Sequence, residues 1–246
     1  MVKRTRKRTR VPGASRGSYA LLWDPPRLGA RGPSRALDLE TIVQGAIALA
    51  DRDGLDALTM ARLAGRLRLT TMALYRYLPG KHELMELMSD RAMGRPPDCK
   101  SPDWRSCVAQ WANAYLALLL KHRWLIEVVE RRTTVGPNWL AWLNAAIEPL
   151  ARSRLPSRDV IAAVLLVDGH VRSTAQLLTG APATPQWAEN FGRVLQAAQA
   201  DEQFAALNTL VRSGEFAPPD DGPIPFEFGL QRVLDGLEAW IARHGR

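Results

Sequence analysis

Two short apolar runs between Thr59 and Gly80, each opening on a threonine, constrain this chain more than any other feature. In the stretch LTMARLAGRLRLTTMALYRYLPGK, Thr59 is placed to cap a helix from Met60 to about Leu67. Leu58 before the cap and Leu63 at the fourth helical position form a hydrophobic staple. The device then repeats: Thr70 caps, Leu69 and Leu74 staple, and Pro79-Gly80 stops a second helix that runs only to Leu78. Two helices this short, joined by about three residues, make a helix-turn-helix. Ala64 is the small residue that lets them cross closely, while Leu63, Leu67, Leu69 and Leu74 close the angle. With Leu74 and Leu78 turned inward, Thr71, Met72, Tyr75 and Arg76 project outward.

A longer helix precedes this pair. Leu39, Ile42, Val43, Ala46, Ile47 and Ala50 recur at helical spacing, with Asp38 as N-cap, Glu40 in the first turn and Asp53-Gly54 at the end. Between Ala57 and His82 stand five basic residues, Arg62, Arg66, Arg68, Arg76 and Lys81, and no acid, so local charge agrees with the outward face.

The net charge of +8 is concentrated at the start. Residues 1–35 carry ten Lys/Arg against the single acid Asp24, and everything after them nets −1. Such clustering attracts a polyanion more strongly than the total implies. Tyr19 to Trp23 is broken too soon by Pro25 and Pro26 to serve as the apolar core of an export signal. Gly, Pro, Ser and Arg dominate the rest, so residues 1–35 read as a mostly flexible basic arm. Gly13-Ala14-Ser15-Arg16-Gly17 matches the nucleophile elbow of serine hydrolases, but no strand is expected before it and no helix after it, as that geometry requires.

With 46% apolar and 24% charged residues the chain can bury a real core. Its longest apolar runs, Tyr115 to Leu120 and Ile161 to Val167, fall far short of the roughly 18–20 residues of a bilayer span. Cys99 and Cys107 supply neither a disulfide framework nor a four-ligand zinc set, which fits a reducing compartment and the cytoplasm. His82, His122 and His244 have no metal spacing, so no metal and no cofactor are expected.

Past Gly94 a Pro/Cys/Lys-containing stretch to Pro102 marks a boundary, after which only helical patterns recur. Trp104, Val108, Trp111, Tyr115, Leu118 and Leu119 define a helix apolar enough to be surrounded by others. Pro137 suits a first helical position. A further helix begins at Ser157 and carries Ile161, Val164, Leu165 and Val171. Residues 186–212 read as helical with a break near Asp201. Pro218, Pro219, Pro223 and Pro225 demand a loop before the last helix, which carries Leu230, Val233, Leu234, Leu237 and Ile241. The fold class is therefore all-α: a basic arm (1–35), a helix-turn-helix domain (36–95) and a larger helical domain (96–246).

The patterns IVQGAIALADRDG, LTMARLAGRL and ALYRYLPGK, with Glu83-Leu84-Met85 opening a fourth helix, resemble the DNA-binding domain of TetR-family transcriptional regulators. The tail FEFGLQRVLDGLEAWI is similar to members with a tetracycline-repressor-like C-terminal domain. The resemblance implies a homodimer that binds a double-stranded DNA operator and answers to a small-molecule effector. It places DNA contacts on Thr59, Thr70, Thr71, Met72, Ala73, Tyr75, Arg76, Tyr77 and Lys81. Chemistry then sorts the roles. Lys81, Thr59 and Tyr77 suit phosphate oxygens. Arg76 and Thr71 suit base edges, and Met72 and Ala73 suit thymine methyls. Packing in the core competes as a role for Tyr75 and Tyr77, and a solvated charge for Arg76. The motif favours DNA for Tyr75 and Arg76 and leaves Tyr77 open. Arg68 stands where this motif often has glycine, which strains a left-handed residue by roughly 1 kcal/mol.

Six of the eight tryptophans lie between Trp104 and Trp187, and their planar faces suit an aromatic or lipophilic effector. Trp111, Tyr115, Trp139, Trp142 and Trp187 are the expected walls, with Asn113, Asn144, His170 and Gln176 as polar anchors; core or interface packing is the competing role for each. The apolar faces of 157–178 and 227–243 suggest a four-helix dimer interface, with burial inside the monomer as the alternative. An enzyme is disfavoured, because Asp168, His170 and Ser173 on one helix cannot converge as a triad. A repressor leads. An activator of the same fold, or a polybasic membrane-surface protein resting on the arm alone, are the alternatives.

Overall fold

A computed structural model describes residues 16–23, 38–131, 134–180, 185–198, 201–213 and 226–245. Among them the regular structure is helical throughout, as the periodicities predict. The reading unit comprises α2 (Leu39–Asp53), α3 (Met60–Arg66) and α4 (Thr71–Tyr75), and α5 (Lys81–Met93) leads out of it. The helical domain comprises α6 (Trp104–Lys121), α7 (Trp124–Arg131), α8 (Pro137–Arg152), α9 (Ser157–Thr179), α10 (Pro185–Ala198), α11 (Ala205–Ser213) and α12 (Phe226–His244). A short 3₁₀ turn, Glu202–Phe204, interrupts the α10–α11 segment close to Asp201.

Each cap expected of the reading unit is made. The Asp38 carboxylate accepts the N–H of Thr41 at 2.7 Å, and Thr59 and Thr70 accept those of Arg62 and Ala73 at 3.1 and 3.2 Å. Gly54 leaves α2 at φ +82°, a conformation that suits glycine. Between α3 and α4 the Arg68 N–H donates to the Gly65 carbonyl at 3.1 Å and the Leu69 N–H to that of Ala64 at 2.8 Å. This is a Schellman closure, which requires its next-to-last residue to be left-handed. Arg68 is that residue, at φ +57°. Arg68→Gly is therefore expected to raise stability by about 0.5–1 kcal/mol, read from the urea midpoint.

Leu58, Leu63, Leu74 and Leu78 are fully buried and join Ile42, Val43, Ala46 and Leu49 in one core that continues through α5 into the helical domain. There α6 is the centre, packed on α8 and α9. Asp103 caps α6 by accepting the N–H groups of Arg105 and Ser106. The Arg105 guanidinium then holds α12 through Asp235 at 2.5 Å and Glu238 at 3.0 Å.

Two expectations are corrected. First, the basic arm contains a helix, α1 (Arg16–Trp23), packed against α5, with Leu21 and Leu22 buried in the common core. Its Trp23 indole N–H donates to the Val135 carbonyl in the α7–α8 loop at 2.9 Å. A helix therefore begins inside the Gly13–Gly17 match, contrary to the reading above; residues 1–15 and 24–37 lie outside the described residues. Five apolar or aromatic residues in eight, two of them the buried Leu21 and Leu22, suffice for a helix when a ready-made face receives those leucines. Secondly, Cys99 and Cys107 form a disulfide with Cα atoms 5.5 Å apart. Cysteine number argues against a framework, but the linker folds back over the first turn of α6 and brings this one pair together. The proline-rich loop at 218–225 lies outside the described residues.

Candidate nucleic-acid interface and effector core

The ridge expected to face outward does so. On α4, Met72 is 74% and Tyr75 49% exposed, and Arg76 at its end is exposed, while Leu74 and Leu78 carry the opposite face inward. Thr71 and Ala73 are half-buried beside them. Thr59, Thr70 and Lys81 are exposed around the same surface. Tyr77 is half-buried and leans on the core, so it shares both roles left open for it. The caps do not consume the threonine hydroxyls: each oxygen accepts a backbone N–H while its own hydrogen remains a donor suited to a phosphate. Lys81 begins α5, whose first N–H groups lack intrahelical acceptors and favour an anion. Arg62 belongs less to this surface, because its guanidinium is paired with Asp53 at 2.8 Å.

The expected effector residues divide. Trp111, Tyr115 and Trp142 come together, with ring centres 5.3–6.2 Å apart. The Trp111 indole N–H donates to the Trp142 carbonyl at 2.9 Å, and the Trp142 N–H reaches the Met93 and Gly94 carbonyls at the end of α5. All three rings are buried. Trp139, one turn before Trp142 on α8, is half-buried and borders a cavity of about 20 Å³.

Asn113 and Asn144 are not brought to this cluster. Both are exposed, and Asn113 bonds its own helix at the Ala109 carbonyl. Each lies two residues beyond a clustered tryptophan, about 200° around the helix and so on the opposite side. His170 sits instead at the α9–α12 junction, stacked on Phe226 with Nε2 2.9 Å from its carbonyl oxygen. A Cβ on Gly229 would lie 2.3 Å from that imidazole, so glycine is required there. Gln176 lines a separate cleft of about 520 Å³ between the end of α2, α7 and the end of α9. Trp187 lies on α10, and its side chain is outside the described residues.

Two joints between the reading unit and the helical domain were absent from the expected site. Asp51, near the end of α2, accepts from the Trp124 indole N–H at 2.6 Å, and His122 Nδ1 lies 2.7 Å from the same oxygen. A carboxylate only accepts here, so the imidazole donates. Asp90, near the end of α5, caps α8 from outside by accepting the N–H groups of Asn138 at 2.9 Å and Trp139 at 3.2 Å. Asn138 returns a side-chain bond to the Asp90 carbonyl at 2.9 Å. Gly136 permits this approach, since a Cβ there would lie 2.1 Å from the carboxylate. Both acids occupy the last turn of their helices, where the dipole disfavours them. That misplacement is the signal by which sequence reasoning finds such a residue.

Residues 42–88 match the family described as bacterial regulatory proteins, tetR family, and residues 96–241 match the tetracyclin repressor-like C-terminal domain. The transcriptional repressor DrrR1 of Streptomyces coeruleorubidus is 33% identical over 235 residues, covering 91% of this chain and 85% of that protein. Among solved structures, ActR of Streptomyces coelicolor in complex with actinorhodin matches with a TM-score of 0.70 at 25% identity, over 84% of this chain and 97% of that one. A possible TetR family transcriptional regulator from Streptomyces coelicolor A3(2) matches at 0.63 and 29% identity, over 82% and 99%. Displayed ridge, helical domain and family matches agree: the chain belongs to the TetR family of transcriptional regulators, DNA-binding proteins rather than enzymes.

Proposed function

We propose that this chain is a repressor that works in the cytoplasm as a homodimer, gripping a palindromic operator and letting go when a small aromatic or lipophilic effector enters the helical domain. The observation that carries the reading is the exposed ridge Met72, Tyr75 and Arg76 on a helix whose other face is fully buried. Nothing in the packing of the monomer rewards that exposure, whereas a major groove accepts a helix of this size. Thr71 and Arg76 read base edges, Met72 and Ala73 meet thymine methyls, and Thr59, Thr70, Tyr77 and Lys81 fix register on phosphates, with Tyr75 on the same ridge. The basic arm adds phosphate or minor-groove contacts and steepens the salt dependence.

Two features support a dimer. The outer faces of α9 and α12 leave Ile161, Leu165, Phe228 and Trp240 exposed, although the inner faces of both helices are packed. Helix-turn-helix units also read half-sites about 34–36 Å apart, which two protomers supply. The effector acts at the cluster of Trp111, Tyr115, Trp139 and Trp142. Support comes from the bond that ties the Trp142 indole to the end of α5 and from the actinorhodin bound by ActR. An effector that wedges these rings apart favours a conformer with the wrong half-site spacing, and only its differential affinity for the two conformers drives release.

Selection of the full chain against random duplexes tests the reading. An inverted repeat, bound by two protomers per duplex, is expected. Recovery of an asymmetric site bound by one protomer, or no sequence preference at low salt, overturns it.

A further inference from the structure

Arg68 stands outside the expected set of operator contacts, yet its place, charge and backbone are those of a further one. Leu67 and Leu69 on either side of it pack against the core, so the side chain between them turns outward, and it is exposed. It occupies the turn two residues ahead of Thr70, whose exposed side chain caps α4 and opens the ridge of Thr71, Met72, Tyr75 and Arg76. A long, flexible stem therefore carries a guanidinium at the rim of the surface offered to the groove. That charge is uncompensated. Among the described residues the Arg68 guanidinium has no hydrogen-bond or ion-pair partner. Asp53 is already shared by Arg52 at 2.7 Å and Arg62 at 2.8 Å, and no acid stands between Ala57 and His82. A cation left without a counter-charge by its own domain is suited to one brought by a polyanion.

The backbone sharpens the choice of residue. At φ +57° glycine would close the same turn without strain, whereas arginine holds it against a steric penalty. Arg154, between α8 and α9, is left-handed too at φ +67°, so strain by itself assigns nothing. At residue 68 strain coincides with an unpaired cation at the edge of the reading surface, and that coincidence points to function. We propose that Arg68 is a phosphate clamp, its guanidinium gripping a backbone phosphate of the operator beside the entry of α4. A phosphate suits it better than a base edge, because the turn lies beside the ridge and not on it, and the planar fork meets two phosphate oxygens at once. Such a contact fixes register without reading sequence. The proposal rests on the operator reading above and adds a residue to it: here the chain gives up some stability for grip.

The test titrates the full chain and three variants, Arg68→Gly, Arg68→Lys and Arg52→Gln, against the selected duplex at several salt concentrations. Arg68→Gly is expected to bind about tenfold more weakly at low salt. The loss should be equal across single-base variants of the duplex, with a salt slope smaller by about one for each protomer bound. The same variant should unfold at a higher urea concentration, which separates lost grip from a damaged fold. Arg68→Lys keeps both the charge and the left-handed backbone, so it should retain the salt slope and bind within about threefold of the unaltered chain. Arg52→Gln removes a charge already paired with Asp53 and should leave the slope nearly unchanged. Unaltered affinity and slope in Arg68→Gly, a loss confined to one base pair, a lysine slope as low as that of glycine, or an equal fall in Arg52→Gln overturns the proposal. When the unaltered chain still selects its site, any of those results sinks the Arg68 assignment alone. An unaltered chain with no sequence preference at low salt sinks the operator reading instead.

Discussion

Replacing Asp90 by alanine is expected to lower global stability by about 3 kcal/mol, because two backbone N–H groups at the start of α8 lose their acceptor away from water, although the Asn138 amide keeps the Asp90 backbone carbonyl. Urea unfolding of the full chain measures this. Asp90→Asn keeps one acceptor oxygen in place and should recover more than half of the loss. A pH dependence separates the two roles of the carboxyl. Burial pushes it above its ordinary value, and the N–H groups of Trp139 and Asn138 pull it back only in part. Since the folded value exceeds the unfolded one of about 3.9, its contribution is complete below that pH and is lost as pH rises through the folded value. The wild type should thus lose stability in the range just above pH ~4 relative to Asp90→Asn, which cannot ionise there. An alanine variant as stable as wild type would remove Asp90 as the fastening between α5 and α8.

Arg76→Ala is expected to cost about 1–3 kcal/mol in operator binding, confined to the base pair it reads. The fold should not suffer, since Arg76 is exposed at the end of α4 and the core beneath it is closed by Leu74 and Leu78. Competition among single-base variants of the selected operator measures the effect. Loss of discrimination at one position in each half-site identifies a base contact. A uniform loss over all variants, with a salt slope smaller by about one, makes the residue a phosphate contact instead.

The reading unit was legible because its determinants are local. Thr59 and Thr70 cap within three residues, Leu58 and Leu69 staple within five, and Arg68 is left-handed because the chain must close over the last turn of α3. Helix ends elsewhere followed Pro137, Pro156 and the break near Asp201 for the same reason. What escaped depends on partners far along the chain. Helix α1 is ordered by the face of α5, more than fifty residues later, and its own composition reads as an arm. The Cys99–Cys107 bond needs the linker to turn back on α6. Asp51 and Asp90 find their donors about seventy and fifty residues away. In the effector core the tryptophans clustered as their spacing allows, but Asn113 and Asn144 were assigned to the cluster by chemistry alone, and helical phase puts them on the far side.

Because Leu21 and Leu22 are buried and Trp23 spans to Val135, helix α1 ahead of the reading head is no detachable leash. Cutting it at residue 37 would strip an apolar surface from the very rod that links sensor to reader. A trimmed protein should cling to itself, and whatever grip it keeps on an operator would be uncoupled from any inducer.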